Sequence, residues 1–180
     1  MQVKNKKSVE SEMVMQLEFF SEEILVEIRF LKNISNINLL VNDFCFLKKN
    51  HTIKINLWIA IVLKNAELCE IIKPKWLSSK WLKKKIYLEK KFHILQDIPY
   101  NYVEMASIFH KRIDKTLKYP DLTINLVEKL YSIRFHKIWT GLISLTDNID
   151  VIKLDKISSV ELYSIKTIIL NLLNIFASFI

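Results

Sequence analysis

The stretch Asn56-Leu57-Trp58-Ile59-Ala60-Ile61-Val62-Leu63-Lys64 decides how the rest of the chain is read. From Leu57 to Leu63 it has no polar face for two turns, and polar side chains return only at Lys64 and Asn65. A helix that is apolar all round has to be covered on all sides, so this segment is expected to lie buried between neighbours. The helix is expected to end where Lys73-Pro74 follows Ile71-Ile72, because proline disfavours the α conformation in the residue before it. A domain boundary is therefore expected between residues 72 and 73.

Upstream of this helix the character is mixed. Val9, Met13, Leu17 and Phe20 fall on one side of a short amphipathic helix over residues 8–20. Ile24-Leu25-Val26, the run from Ile37 to Val41 and the run from Thr52 to Ile55 are short β-compatible stretches separated by Asn, Asp, Ser and Lys clusters. Downstream everything reads as helix. Ser78 or Ser79 can cap a helix to about Lys91, a second follows Pro99, and a long one starts after Pro120 and runs to about Leu142. The last begins at Ser158, where Ser158-Ser159-Val160-Glu161 has capping-box spacing. The expected fold class is α+β and predominantly α. Residues 1–72 form a small β-rich domain with an N-terminal helix and the connecting Leu-Trp helix, and residues 73–180 form an α-helical bundle domain.

Composition removes several functions. Gly141 is the only glycine in 180 residues. A Rossmann fingerprint, a P-loop or a nucleophile elbow needs several glycines to bring backbone close to phosphate or to hold a sharp turn. The histidines His51, His93, His110 and His136 are scattered without a ligand partner at metal-site spacing. Cys45 and Cys69 are too few and too far apart for a zinc ribbon, and fit a reducing compartment. Neither a catalytic set, a metal site nor a cofactor is expected. The apolar stretches from Ile55 to Leu63 and from Ile165 to Ile180 are too short or too interrupted to span a membrane.

The formal net charge is +8, which ordinarily points to nucleic acid or an anionic surface. Arginine occurs only at positions 29, 112 and 134, and the rest of the excess is lysine. Specific phosphate and base recognition favours arginine, so the charge is a weak clue. The richest segment is Lys73 to Lys91, where Trp76, Trp81 and Tyr87 interleave with lysines as in sequence-tolerant single-strand binders. On a helix, however, Trp81 and Leu88 share a side with Leu82 and Ile86 nearby, an arc suited to a core that leaves most lysines to water. Lys85 and Glu89 fall in this arc as an i, i+4 pair, either an internal ion pair or an anchor for a partner.

The two long helices carry core-type stripes. Leu122, Leu126, Leu130, Tyr131 and Ile133 lie along one face of the first, with Arg134 and Ile138 following. Leu162, Ile165, Ile169, Leu172 and Phe176 lie along the second, which also carries Ile168, Leu173, Ile175 and Phe179 outside that stripe. That is more apolar surface than one neighbouring helix covers, so either this domain or another chain buries it.

Six segments in order resemble one known family. Asn56 to Lys64 resembles its L-W-[IL]-A-x-x-L-K signature, followed at the family's distance by Cys69 and by Pro74-Lys75-Trp76-Leu77. Ile98-Pro99-Tyr100-Asn101-Tyr102 is similar to the aromatic turn that opens the next helix. Ile133-Arg134 with Lys137, then Gly141-Leu142, match the long helix, and Leu154-Asp155-Lys156-Ile157-Ser158 with Glu161 is similar to the start of the last. The chain is thereby similar to the Psf-two family of GINS DNA-replication complex subunits, over residues 15–176. It departs from that pattern mainly in its first third. Phe30-Leu31, an Asn-rich stretch and Asn56 stand where the family usually has proline or glycine.

The resemblance implies a non-catalytic subunit of a heterotetramer with Sld-five, Psf-one and Psf-three. That tetramer would join the minichromosome maintenance ring and the Cdc-forty-five protein in the replicative helicase, in the nucleus, touching DNA only indirectly or weakly. Leu57, Trp58, Trp76, Trp81, Lys85, Glu89, Leu126, Leu130, Tyr131, Arg134, Ile138, Leu162, Ile165, Ile169, Leu172 and Phe176 are the candidates for subunit interface or core. The competing expectation is a freestanding basic helical module that binds single-stranded nucleic acid through Lys73 to Lys91.

Overall fold

The computed structural model describes residues 16–38, 43–113, 120–143 and 155–177, without the side chains of 34–38, 43–46, 120–121, 167–168 and 171–177. The amphipathic stretch at 8–20 lies outside the described residues up to position 15, and residues 16–21 form a helical turn, α1. Strands β1 (Leu25–Phe30), β2 (Ile34–Asn38), β3 (Asp43–Leu47) and β4 (Thr52–Asn56) follow. Then come α2 (Leu57–Asn65), β5 (Cys69–Ile71), a 3-10 turn (Lys75–Leu77) and α3 (Ser79–Lys91). Helix α4 (Tyr102–Ile108) runs into a π-helical turn (Phe109–Ile113), and α5 (Pro120–Ile143) and α6 (Ser159–Ala177) complete the order. The fold is α+β and mainly α, as the sequence implies.

The chain forms two compact units, one of Met1–Leu77 with Ile108–Thr116, the other of Ser78–Ser107 with Leu117–Ile180. The break thus falls a few residues after position 72, and the π-helical turn counts with the sheet rather than with the helices.

In the first unit, β1 is the central strand of an antiparallel sheet ordered β4-β1-β5, and β2 pairs with β3 as a separate hairpin. The alternation of β1 explains its place: Val26, Ile28 and Phe30 are buried while Leu25, Glu27 and Arg29 face out. Helix α2 starts directly from β4, and the backbone N–H groups of Leu57 and Trp58 donate to the carbonyls of Ile24 and Glu22.

The Leu-Trp helix is shorter than its sequence implies, because it stops at Asn65 and Cys69–Ile71 is a strand. The stop is a Schellman closure. Glu67 N–H donates to the Lys64 carbonyl, Leu68 N–H donates to the Leu63 carbonyl, and Glu67 takes a φ of 56°. With no glycine available, a glutamate occupies the left-handed position. Nor is α2 covered all round: Leu57, Ala60, Ile61 and Leu63 are buried, but Trp58 and Val62, one turn apart, are exposed. A sheet on one side supplies cover for one side only.

In the second unit, Ser78 caps α3 by accepting from Trp81 N–H at 3.4 Å. Helix α3 packs on α5 through Leu82, Ile86 and Glu89. The buried line of α5 is Thr123, Val127, Leu130, Arg134 and Ile138. This shifts the stripe expected from sequence: Leu130, Arg134 and Ile138 are buried, but Leu122 is 41% exposed and Leu126, Tyr131 and Ile133 are half-buried. Two polar residues rotate the buried face because the core of this unit is partly ionic.

Candidate functional site

Among the described residues Arg134 is the largest fully buried side chain, at 0% exposure. A guanidinium has five N–H donors, and a buried one is tolerated only where all find acceptors. Here they do. Nε donates to Glu161 Oε1 at 2.7 Å and Nη2 to Glu161 Oε2 at 3.1 Å, a bidentate pair. Nη1 donates to Glu89 Oε1 and to the Gln96 carbonyl at 2.9 Å. The remaining Nη2 donor reaches the Lys156 carbonyl at 2.6 Å. Lys156 presents that oxygen from a left-handed backbone, φ 62°.

The acceptors are satisfied in turn. Glu161 also takes the Tyr102 hydroxyl at 3.1 Å and the Ser158 N–H at 2.9 Å, which completes the capping box at the start of α6. Glu89 takes Gln96 N–H at 2.9 Å and the Lys137 ammonium at 2.5 Å. Two cations and two carboxylates therefore balance, with Arg134, Glu89 and Glu161 fully buried and Lys137 at the partly exposed edge. Burial works against the charged guanidinium, but the hydrogen bonds and charges of Glu161 and Glu89 outweigh it and hold Arg134 above the usual arginine range. Burial first, then the Glu161 carboxylate, pushes the Tyr102 phenol far above its ordinary value.

This cluster corrects the i, i+4 pairing of Lys85 with Glu89. Glu89 turns inward to Arg134 and Lys137, while Lys85 donates to the Asp97 carbonyl at 2.6 Å and sits 5.1 Å from the centre of the Trp81 ring. Of the other candidates, Leu57, Leu130, Ile138 and Ile165 are buried. Trp76, Trp81, Leu126, Tyr131 and Ile169 are half-buried. Trp58 and Leu162 are exposed, at 42% and 40%, and the side chains of Leu172 and Phe176 lie outside those described. Sequence reading missed Tyr102 as a donor to Glu161, and Gln96 and Glu161 as partners of Arg134. Their separations of 27 to 38 residues leave no local pattern, and only the odd arginine on an otherwise core-like face marked the place.

The arrangement holds elements together. Among the described residues no group of three or more histidines, cysteines or carboxylates could hold a metal ion. In the first unit a groove of about 730 Å³ is bordered by Arg29, Lys64, Lys73, Arg112, Glu67 and Glu70. Its charges are of both signs, and Arg112 is already engaged by Glu22. Among the described residues no helix is long and apolar enough to cross a membrane.

Outside these buried groups, both units leave apolar side chains in solvent. In the first, Phe19, Phe20, Leu25, Trp58 and Val62 are exposed. In the second, Trp139 and Ile143 lie one turn apart on α5, and Leu162, Tyr163 and Leu170 are exposed on α6.

Comparison with known proteins agrees with the resemblance seen at Leu57. The family model described as PSF2 N-terminal domain matches residues 13–72. A protein of Debaryomyces hansenii named DNA replication complex GINS protein PSF2 is 31% identical over 123 residues, which cover 67% of this chain and 59% of that relative. The protein of the same name from Candida albicans is 26% identical over 161 residues, covering 88% of this chain and 78% of the relative. The one from Saccharomyces cerevisiae is 28% identical over 120 residues, covering 66% of this chain and 55% of the relative. The match thus spans little more than half the length of two of these relatives. With the family model on the sheet unit and the relatives' alignments extending past it, the chain belongs to the PSF2 family.

Proposed function

We propose that this chain is a non-catalytic structural subunit of a GINS heterotetramer, acting in DNA replication by helping to assemble the replicative helicase. Its partners in this reading are Sld-five, Psf-one and Psf-three, and through them the minichromosome maintenance ring and the Cdc-forty-five protein, in the nucleus. The observation that carries the reading is apolar surface left over on elements whose inner faces are already filled. Trp139 is 37%, Ile143 66% and Leu170 48% exposed on helices that bury Leu130, Ile138 and Ile165. Obligate interfaces are more apolar than ordinary surface and give such side chains a destination.

The exposed members of the candidate set, Trp58 and Leu162, are assigned to contacts with other chains. Leu57, Glu89, Leu130, Arg134, Ile138 and Ile165 are assigned to the core that shapes those contacts. Co-expression with the other three subunits tests the reading. One stoichiometric complex on size exclusion is the expected result, and a chain that stays monomeric and never co-purifies with them refutes it.

A further inference from the structure

Helix α3 carries six lysines, at positions 80, 83, 84, 85, 90 and 91, against one acid, Glu89. In sequence that acid dilutes the charge. In the fold it does not, because Glu89 is fully buried and consumed by Arg134 and Lys137. Lys85 turns aside to Asp97 and Trp81. The other five are exposed, and among the described residues no carboxylate pairs with any of them.

At 3.6 residues per turn, Lys80, Lys83, Lys84, Lys90 and Lys91 fall within about 120° of one another, along about 16 Å of helix. Tyr87 lies in the middle of that arc and is 62% exposed. The Lys91 ammonium stands 6.0 Å from the Tyr87 ring centre and 5.7 Å from that of Phe92, itself 45% exposed. A row of cations with a flat aromatic face in its centre matches two needs of an unpaired strand, phosphate neutralisation and base stacking.

We infer that the outer face of α3 is a sequence-independent binding surface for single-stranded nucleic acid. A duplex keeps its bases stacked and offers Tyr87 nothing. A membrane-surface helix would need the apolar side of α3 for lipid, and that side is spent on Leu82 and Ile86 in the core. An acidic protein segment would use the lysines and leave the ring idle. The inference holds for the full chain whether or not it assembles with other subunits.

The test is fluorescence anisotropy of the full chain with a labelled deoxythymidine oligonucleotide over a range of salt concentrations. Replacing Lys83, Lys84 and Lys90 by glutamine is expected to make the slope of log K against log salt shallower by about 2, since each neutralised single-strand phosphate contributes about 0.7. Tyr87→Ala is expected to weaken binding by about 5- to 100-fold and leave the slope unchanged. All these side chains are exposed, so the variants should melt like the wild type, and co-purification with other subunits should be unaffected. Absence of binding at low salt, or equal slopes for wild type and the lysine variant, overturns the inference. So does displacement of the oligonucleotide by polyglutamate at equal charge together with no effect of Tyr87→Ala, which would identify an acidic-protein surface instead.

Discussion

Arg134 shows how much one buried charge can organise. Its five donors end on four parts of the second unit: Glu89 on α3, the Gln96 carbonyl in the loop that follows, the Lys156 carbonyl ahead of α6, and, with two donors, Glu161 on α6. Methionine at this position would fill similar space but leave two carboxylates buried with only Lys137 to answer them. Arg134→Met is expected to cost about 3–5 kcal/mol in a urea denaturation experiment. A second buried group has a pH signature. Cys69, 2% exposed on β5, has its thiol pushed by burial from 9.0 to about 11. The folded state then holds the thiol proton more tightly than the unfolded state. The associated stability is intact below pH 9 and is lost as pH rises from about 9 to 11, by roughly 2–3 kcal/mol. Urea titrations at both ends of that window should show the fall in the wild type and a smaller one in Cys69→Ala.

At the scale of elements, a chain with one glycine has to end helices and turns by other means. Asn50, Glu67 and Lys156 all have positive φ. Asparagine tolerates this conformation, but glutamate bears a steric cost of about 1–2 kcal/mol that glycine avoids. Glu67→Gly, at the Schellman closure of α2, is therefore expected to stabilise the protein by about 0.5–1 kcal/mol, measurable as a higher urea midpoint at unchanged m. The single glycine sits where none is needed. Gly141 lies inside α5, and a Cβ there would meet nothing within 4 Å. Gly141→Ala should add about 0.8–1 kcal/mol through helix propensity alone. Several elements were legible in the sequence because their signals are local: Ser78 and Ser158 as caps, Pro120 at the start of α5, and the β-compatible runs at the start of β1 and in β4. Strand β5 was not. Cys69-Glu70-Ile71 has the same short apolar spacing as the end of a helix, and only pairing with β1 through Arg29 and Glu70 distinguishes it.

For the molecule as a whole, burial separates two classes of candidate that the sequence could only pool. Leu130 is fully buried in the second unit, so Leu130→Asp should lose assembly because that unit no longer folds. Trp139→Glu with Ile143→Glu changes exposed side chains only. It should leave circular dichroism and melting intact while abolishing co-purification with the other three subunits. Retained assembly in that variant would remove this end of α5 from the interface. The sequence by itself determined the α+β class, the helices after Pro74, the family at Leu57 and the lack of glycine for a phosphate loop, because each rests on neighbours within a few turns. The partner of Glu89, the rotation of the buried face of α5 toward Thr123 and Arg134, and the uncompensated cationic face of α3 were decided only by tertiary structure. Each depends on residues tens of positions apart in the chain, and which of them meet is settled by what the fold brings into contact, as when Arg134 and Lys137 take the Glu89 carboxylate from the lysines of α3.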